Sequence, residues 1–131
     1  MAVAKEDSTL PAYGFVESTV FTDRVYDYFT DDEYAAFQFA LAAEPTAGDV
    51  IQGTGGLRKV RWSDPRRRKG KRGGVRIIYF IIDDDGVIYL LTIFEKDEMI
   101  DLDARERRTL KALVDDEKDA RRARRQKGTR K

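Results

Sequence analysis

The stretch Val75-Arg76-Ile77-Ile78-Tyr79-Phe80-Ile81-Ile82 is apolar at seven of its eight positions. A strand with one wet face alternates apolar and polar residues, whereas a run without alternation belongs to a strand covered on both faces. The run therefore predicts a central strand, with Arg76 at its start as the one exception. Asp83-Asp84-Asp85-Gly86 follows as a hairpin turn, with glycine at a positive φ. Val87 to Phe94 then returns as the partner strand. Upstream, Leu57-Arg58-Lys59-Val60-Arg61-Trp62 is a third strand by alternation. Val60 and Trp62 share one of its faces, and Lys59 and Arg61 share the other.

The remaining elements are helical or short. Phe15 to Thr19 reads as a strand. Phe21, Val25, Tyr28 and Phe29 stand at helical spacing and predict a short helix over 21–29. Thr30-Asp31-Asp32-Glu33 is a capping box that opens a second helix, Asp31 to Ala43, with Tyr34, Phe37 and Leu41 as its buried stripe. Glu44-Pro45 ends it. The glycines in residues 48–56 lack the Lys-Ser/Thr pair of a Walker motif, so they form a turn rather than a phosphate cradle. Asp103-Ala104-Arg105-Glu106 is a second capping box, opening a helix through Leu110, Leu113 and Val114. The order predicts an α+β fold: a single compact domain over 14–114, an antiparallel-dominated sheet packed by helices on one face. Residues 1–13 read as a flexible leader and 115–131 as a charged, frayed tail.

Composition removes whole classes of chemistry. The 131 residues include no cysteine and no histidine. Disulfides, thiolate sites and imidazole bases are excluded, and a reducing cytoplasm is the expected location. No apolar run approaches a membrane span, and the first residues lack a signal-peptide core. No cofactor and no metal site is expected, because Asp83-Asp84-Asp85 at a hairpin tip is a solvated turn.

The net charge of +1 conceals strong segregation. Residues 1–50 hold two basic and ten acidic groups, whereas residues 58–76 hold ten basic and one acidic. An excess of that size in so short a stretch attracts polyanions. Arg58, Arg66, Arg67, Arg68, Lys69, Lys71 and Arg72 are the candidate nucleic-acid contacts, gripping phosphate without reading sequence. The basic tail from Arg121 adds to them. Trp62, Tyr79 and Tyr89 are better placed for core packing than for stacking on bases.

The stretch Gly53 to Trp62, the segment Gly73-Gly74-Val75-Arg76-Ile77-Ile78-Tyr79, and Ile88 to Glu98 together resemble the RelE/ParE superfamily of toxins from type II toxin–antitoxin systems, most nearly its HigB-type members related to RelE. The resemblance spans roughly residues 14–114. It implies a RelE-like fold and a metal-independent, ribosome-dependent mRNA endonuclease that blocks translation by cutting mRNA in the A site. It also implies a cognate antitoxin, of helix-turn-helix type, and the ribosome with its mRNA as partners.

Cleavage by 2′-OH attack requires a base, charge stabilisation at phosphorus and a proton for the 5′-oxygen. Without histidine, clustered cations must serve, stabilising the phosphorane electrostatically. By resemblance, Lys59 is the general-base candidate. Arg61 and Arg76 clamp the phosphate in forked geometry, and Lys96 serves the leaving oxygen. Asp97-Glu98 stands where relatives often place a tyrosine or second arginine, and no tyrosine follows Tyr89. The bland alternatives are an exposed edge-strand face for Lys59 and Arg61, a carboxylate partner such as Asp83 or Glu95 for Arg76, and a surface position for Lys96. Two other functions stay open: a ParE-like gyrase poison and a non-catalytic RNA-binding module.

Overall fold

A computed structural model describes residues 13–63, 74–82, 86–95 and 103–129. The leader before Tyr13 and the Asp83-Asp84-Asp85 turn lie outside the described residues. The elements are β1 (Gly14–Glu17), α1 (Thr19–Tyr28), α2 (Asp31–Ala43), a 3-10 turn (Pro45–Ala47), β2 (Asp49–Val50), β3 (Arg58–Trp62), β4 (Val75–Ile82), β5 (Val87–Glu95) and α3 (Ala104–Thr129). The five strands form one mixed sheet in the order β1-β5-β4-β3-β2. β1 pairs parallel with β5, and every other pairing is antiparallel. The class is α+β, as expected.

β4 lies between β3 and β5, and its two faces feed two cores. Val75, Ile77 and Tyr79 pack with Ile88, Leu90 and Ile93 of β5 against Phe21, Val25, Phe37 and Leu41 of α1 and α2. Ile78 and Ile82 pack with Leu57, Tyr89, Leu91 and Phe94 against Val114, with Leu110 and Leu113 beside it. Along β4, residues of even and odd number thus serve opposite faces, as a pleated strand requires. β5 carries one residue more than β4 can pair. The register passes from Ile78↔Thr92 to Tyr79↔Leu90, which leaves Leu91 in a bulge. Ser18 sits at this bulge: its N–H donates to the Leu90 carbonyl (2.9 Å) and its hydroxyl to the Leu91 carbonyl (2.8 Å). The same hydroxyl accepts from the Phe21 N–H at 3.0 Å and so caps α1.

Both capping boxes form. The Thr30 hydroxyl accepts from the Glu33 N–H, and the Glu33 carboxylate accepts from the Thr30 N–H. Asp103 and Glu106 exchange the same pair of bonds at the start of α3. An aromatic chain then links helices to sheet. Phe29 stacks on Tyr34 at 6.0 Å, and Phe37 meets Trp62 edge-on at 5.5 Å.

Two expectations are corrected. The sequence places the helices on one face, whereas α3 covers the face opposite α1 and α2. The reason is β4 itself: a strand apolar on both sides buries its second face only if another layer covers it. The sequence also frays the chain from Asp115, whereas α3 runs on to Thr129. After Val114 the inward positions are Glu117, Lys118 and Arg121, all half-buried at the spacing of a helix stripe. Their stems cover apolar surface while their charged ends stay wet. The Lys118 ammonium lies 5.1 Å from the Phe80 ring centroid. Lys111–Asp115 (3.0 Å), Arg121–Glu117 (2.8 Å) and Arg122–Asp119 (2.9 Å) add short-range ion pairs, each worth a few tenths of a kcal/mol.

Tyr79 anchors the turn after α2. Its side chain is fully buried, its hydroxyl donates to the Pro45 carbonyl (2.6 Å), and it accepts from the Gly48 N–H (2.9 Å). Tyr79→Phe leaves that N–H unsatisfied, and the expected loss is about 1–3 kcal/mol of unfolding free energy, read from urea midpoints.

Burial raises the phenol pKa of Tyr34, Tyr79 and Tyr89. At Tyr34 the bond donated to Glu17 and that carboxylate's charge raise it further, and at Tyr89 the charges of Glu117 and Asp116 do so. The unfolded chain therefore ionises first, near its ordinary value of 10.0. The folded form holds its protons longer, so this stability is complete below pH 10 and is lost as pH rises beyond it. Urea midpoints measured between pH 9 and 11 should fall, and fall less steeply in Tyr34→Phe.

Candidate nucleic-acid interface

The register of β3 against β4 builds the site. Arg61 lies directly opposite Arg76, and Lys59 lies opposite Ile78. On its other side Arg76 faces Phe94 of β5. Lys59, Arg61 and Arg76 share the parity of Ile78 and Phe80, and so the α3 face of the sheet. Arg61 is exposed, and Lys59 and Arg76 are half-exposed.

Opposite residues of an antiparallel pair hold their Cβ atoms about 4.5–5.5 Å apart, and like charges there destabilise the sheet. Lys59 stands two residues along β3, about 7 Å from Arg61. Guanidinium groups each offer a fork of N–H donors, and an ammonium is a compact point charge, so two arginines and a lysine on one face are residue types suited to a tetrahedral anion.

Arg58 stands apart from this group. It has the parity of Val60 and Trp62, and its guanidinium donates to the carbonyls of Gly48 (2.7 Å) and Thr46 (3.4 Å). It braces the glycine-rich turn from the opposite face. Arg66, Arg67, Arg68, Lys69, Lys71 and Arg72 lie outside the described residues, as does Lys96. Glycines 53, 55 and 56 all have positive φ, in keeping with their reading as turn formers. Tyr79 and Tyr89 are buried in the cores and Trp62 packs on Phe37, in keeping with packing rather than base stacking.

One cation escapes a reading that ends the helix at Val114. Lys118 lies on the same sheet face, over Phe80. Phe80 is four residues along β4 from Arg76, about 13 Å away, so Lys118 extends the positive surface without joining the arginine pair. Its signal in the sequence was the spacing of 110, 114, 117, 118 and 121 carried on through charged residues. Among the described residues no group of three or more His, Cys, Asp or Glu side chains is arranged to hold a metal ion. No described helix is long and apolar enough to cross a membrane.

No family model matches the sequence. Among solved structures, the chain is similar to an arginine-to-alanine double mutant of the E. coli toxin RelE in the free state. The two are 13% identical with a TM-score of 0.47, over 66% of this chain and 86% of that one.

Arg61→Ala removes one cation from this face and one half of a like-charged cross-strand pair, which tests whether the face binds nucleic acid. The slope of log affinity against log salt for single-stranded RNA should shrink by about 0.7, while the melting temperature does not fall. Fluorescence anisotropy at several salt concentrations and a thermal melt measure the two effects.

Proposed function

We propose that the chain is the toxin of a toxin–antitoxin pair and an endoribonuclease that cuts mRNA on the ribosome. The observation that carries this reading is the cross-strand pair Arg61↔Arg76, with Lys59 on the same face. The sequence resemblance of residues 14–114 to RelE-type toxins supports it independently of that geometry. Lys59 takes the proton of a ribose 2′-OH. The 2′-oxygen attacks the adjacent phosphorus, the bond to the 5′-oxygen breaks, and that oxygen takes up a proton. A cyclic 2′,3′-phosphate and a free 5′-hydroxyl result. Arg61 and Arg76 stabilise the extra charge on the phosphorane, where preorganised donors act most strongly. Lys96 serves the leaving oxygen. No metal enters this scheme.

The basic segment Arg66 to Arg72 supplies sequence-independent contacts to ribosomal RNA phosphates, and codon choice comes from the ribosomal A site. A cognate antitoxin of helix-turn-helix type holds the activity in check in the cytoplasm.

Induction of the wild-type chain in bacteria, with messenger 5′ ends mapped over minutes, tests the proposal. New cuts at fixed codon positions in translated messages are expected, and the Arg61→Ala/Arg76→Ala double variant should abolish them. Intact messages with arrested growth would direct attention to gyrase instead. Intact messages with normal growth would leave an RNA-binding module without catalysis.

A further inference from the structure

α2 is apolar around nearly its whole circumference. Its only polar residues are Asp31, Asp32, Glu33 and Gln38. Tyr34, Phe37 and Leu41 face the sheet and are buried, yet the outward side is apolar too: Ala35, Phe39, Ala40 and Ala43 are exposed. Phe39 is 68% exposed. A surface helix ordinarily turns polar residues outward, and one that is hydrophobic all round is ordinarily buried. Ala35, Phe39 and Ala43 fall four residues apart and form one continuous row. The alanines on either side of Phe39 let a second helix approach to about 8–10 Å between axes. Beside the row opens a cleft of about 240 Å³, bordered by Ala40 of α2 and its C-cap Glu44, and lined by Phe37, Val60, Arg61 and Trp62. It is a socket for one large apolar side chain of an approaching element.

The charges around this face select its occupant. Residues 19–44 carry six acidic side chains against one basic, Arg24. Arg24 is turned onto its own helix, donating to the Tyr28 hydroxyl and lying over that ring. A second copy packed α2 against α2 would set these acidic groups against each other. The basic end of α3 in a second copy has the right sign, but between Arg121 and Arg125 its only uncharged residue is Ala123, which cannot cover Phe39. We propose that the outer face of α2 docks an amphipathic helix of a different protein, apolar along one stripe and lined with Lys and Arg. The mode is helix-in-groove recognition, with an apolar stripe for affinity and the charged margins for orientation.

The test uses the full chain and a designed peptide of about 16 residues, long enough to hold a helix. The peptide carries one leucine stripe flanked by lysine and arginine; a control has glutamate at every basic position. Fluorescence anisotropy gives affinities, and amide shifts locate the contact. The basic peptide should bind at residues 35–43. The acidic control should bind roughly tenfold more weakly, and Phe39→Ser should weaken the basic peptide by roughly the same factor with an unchanged melting temperature. Absent binding, equal binding of the two peptides, or binding indifferent to Phe39→Ser would overturn the proposal. A dimer in sedimentation that Phe39→Ser dissociates would overturn it as well, by making a second copy the occupant. Phe39 takes no part in the proposed cleavage, so this result and the RNA-cutting result stand or fall separately.

Discussion

β4 must be buried on both faces, and most of the architecture follows from that requirement. Eight residues with a single charge cannot lie at a sheet edge or under water. The strand therefore takes a central place, and each face needs its own cover. α1 and α2 supply one layer through Phe21, Val25, Phe37 and Leu41, and α3 supplies the other through Leu110, Leu113 and Val114. Register is strongly specified in such a strand. A slip of one residue would carry Arg76 into the core under α2 and expel Ile77 from it. The parity that buries the core is thus the same parity that sets Arg76 beside Arg61. The Leu91 bulge lets β5 satisfy both cores along nine residues, and Ser18 ties the start of α1 to the carbonyls beside it.

Much of this was legible in the sequence because it depended on local chemistry. The unbroken apolar run marked β4, alternation sorted Lys59 and Arg61 from Val60 and Trp62, and two capping boxes marked two helix starts. The layer assignment of α3 was not legible from order alone, since a helix that follows the last strand can fold to either side. The decisive fact was present at 75–82 all the same, because a strand without a polar face implies two covers. The length of α3 was obscured for another reason. Past Val114 its inward positions are Glu117, Lys118 and Arg121, and a stripe built from charged residues with long stems is invisible to a count of apolar ones. Arg58 shows the limit of charge as a guide. Composition groups it with its basic neighbours, whereas parity and two backbone carbonyls give it a bracing task on the other face.

The segregation of charge along the chain becomes a segregation of surfaces in the fold. The acidic helices α1 and α2 form one layer, while Lys59, Arg61 and Arg76 stand on the opposite face of the sheet. A sheet only one residue thick separates the two. A polyanion approaching the Arg61–Arg76 side meets attraction there, and the acidic helices repel it from the back. The same division leaves α2 free to present an acidic, apolar face to a partner of opposite character.

The glycine-rich turn sets where β3 starts. A Cβ on Gly48 would meet the Lys59 carbonyl and the Tyr79 ring at 2.9 Å, so only glycine lets the chain pass between them. Tyr79 and Arg58, opposite each other across β3 and β4, then hold the passage through hydrogen bonds to residues 45–48. Thr54, itself buried, closes the turn by donating to the Ile51 carbonyl and accepting from the Leu57 N–H. Each of these contacts fixes where β3 begins. Because Lys59 and Arg61 follow within four residues of Leu57, the turn determines where two cations point. A cationic site acts by preorganisation: donors held in place cost no reorganisation when charge develops between them. The contribution of this turn is therefore mechanical, exerted through the register of β3.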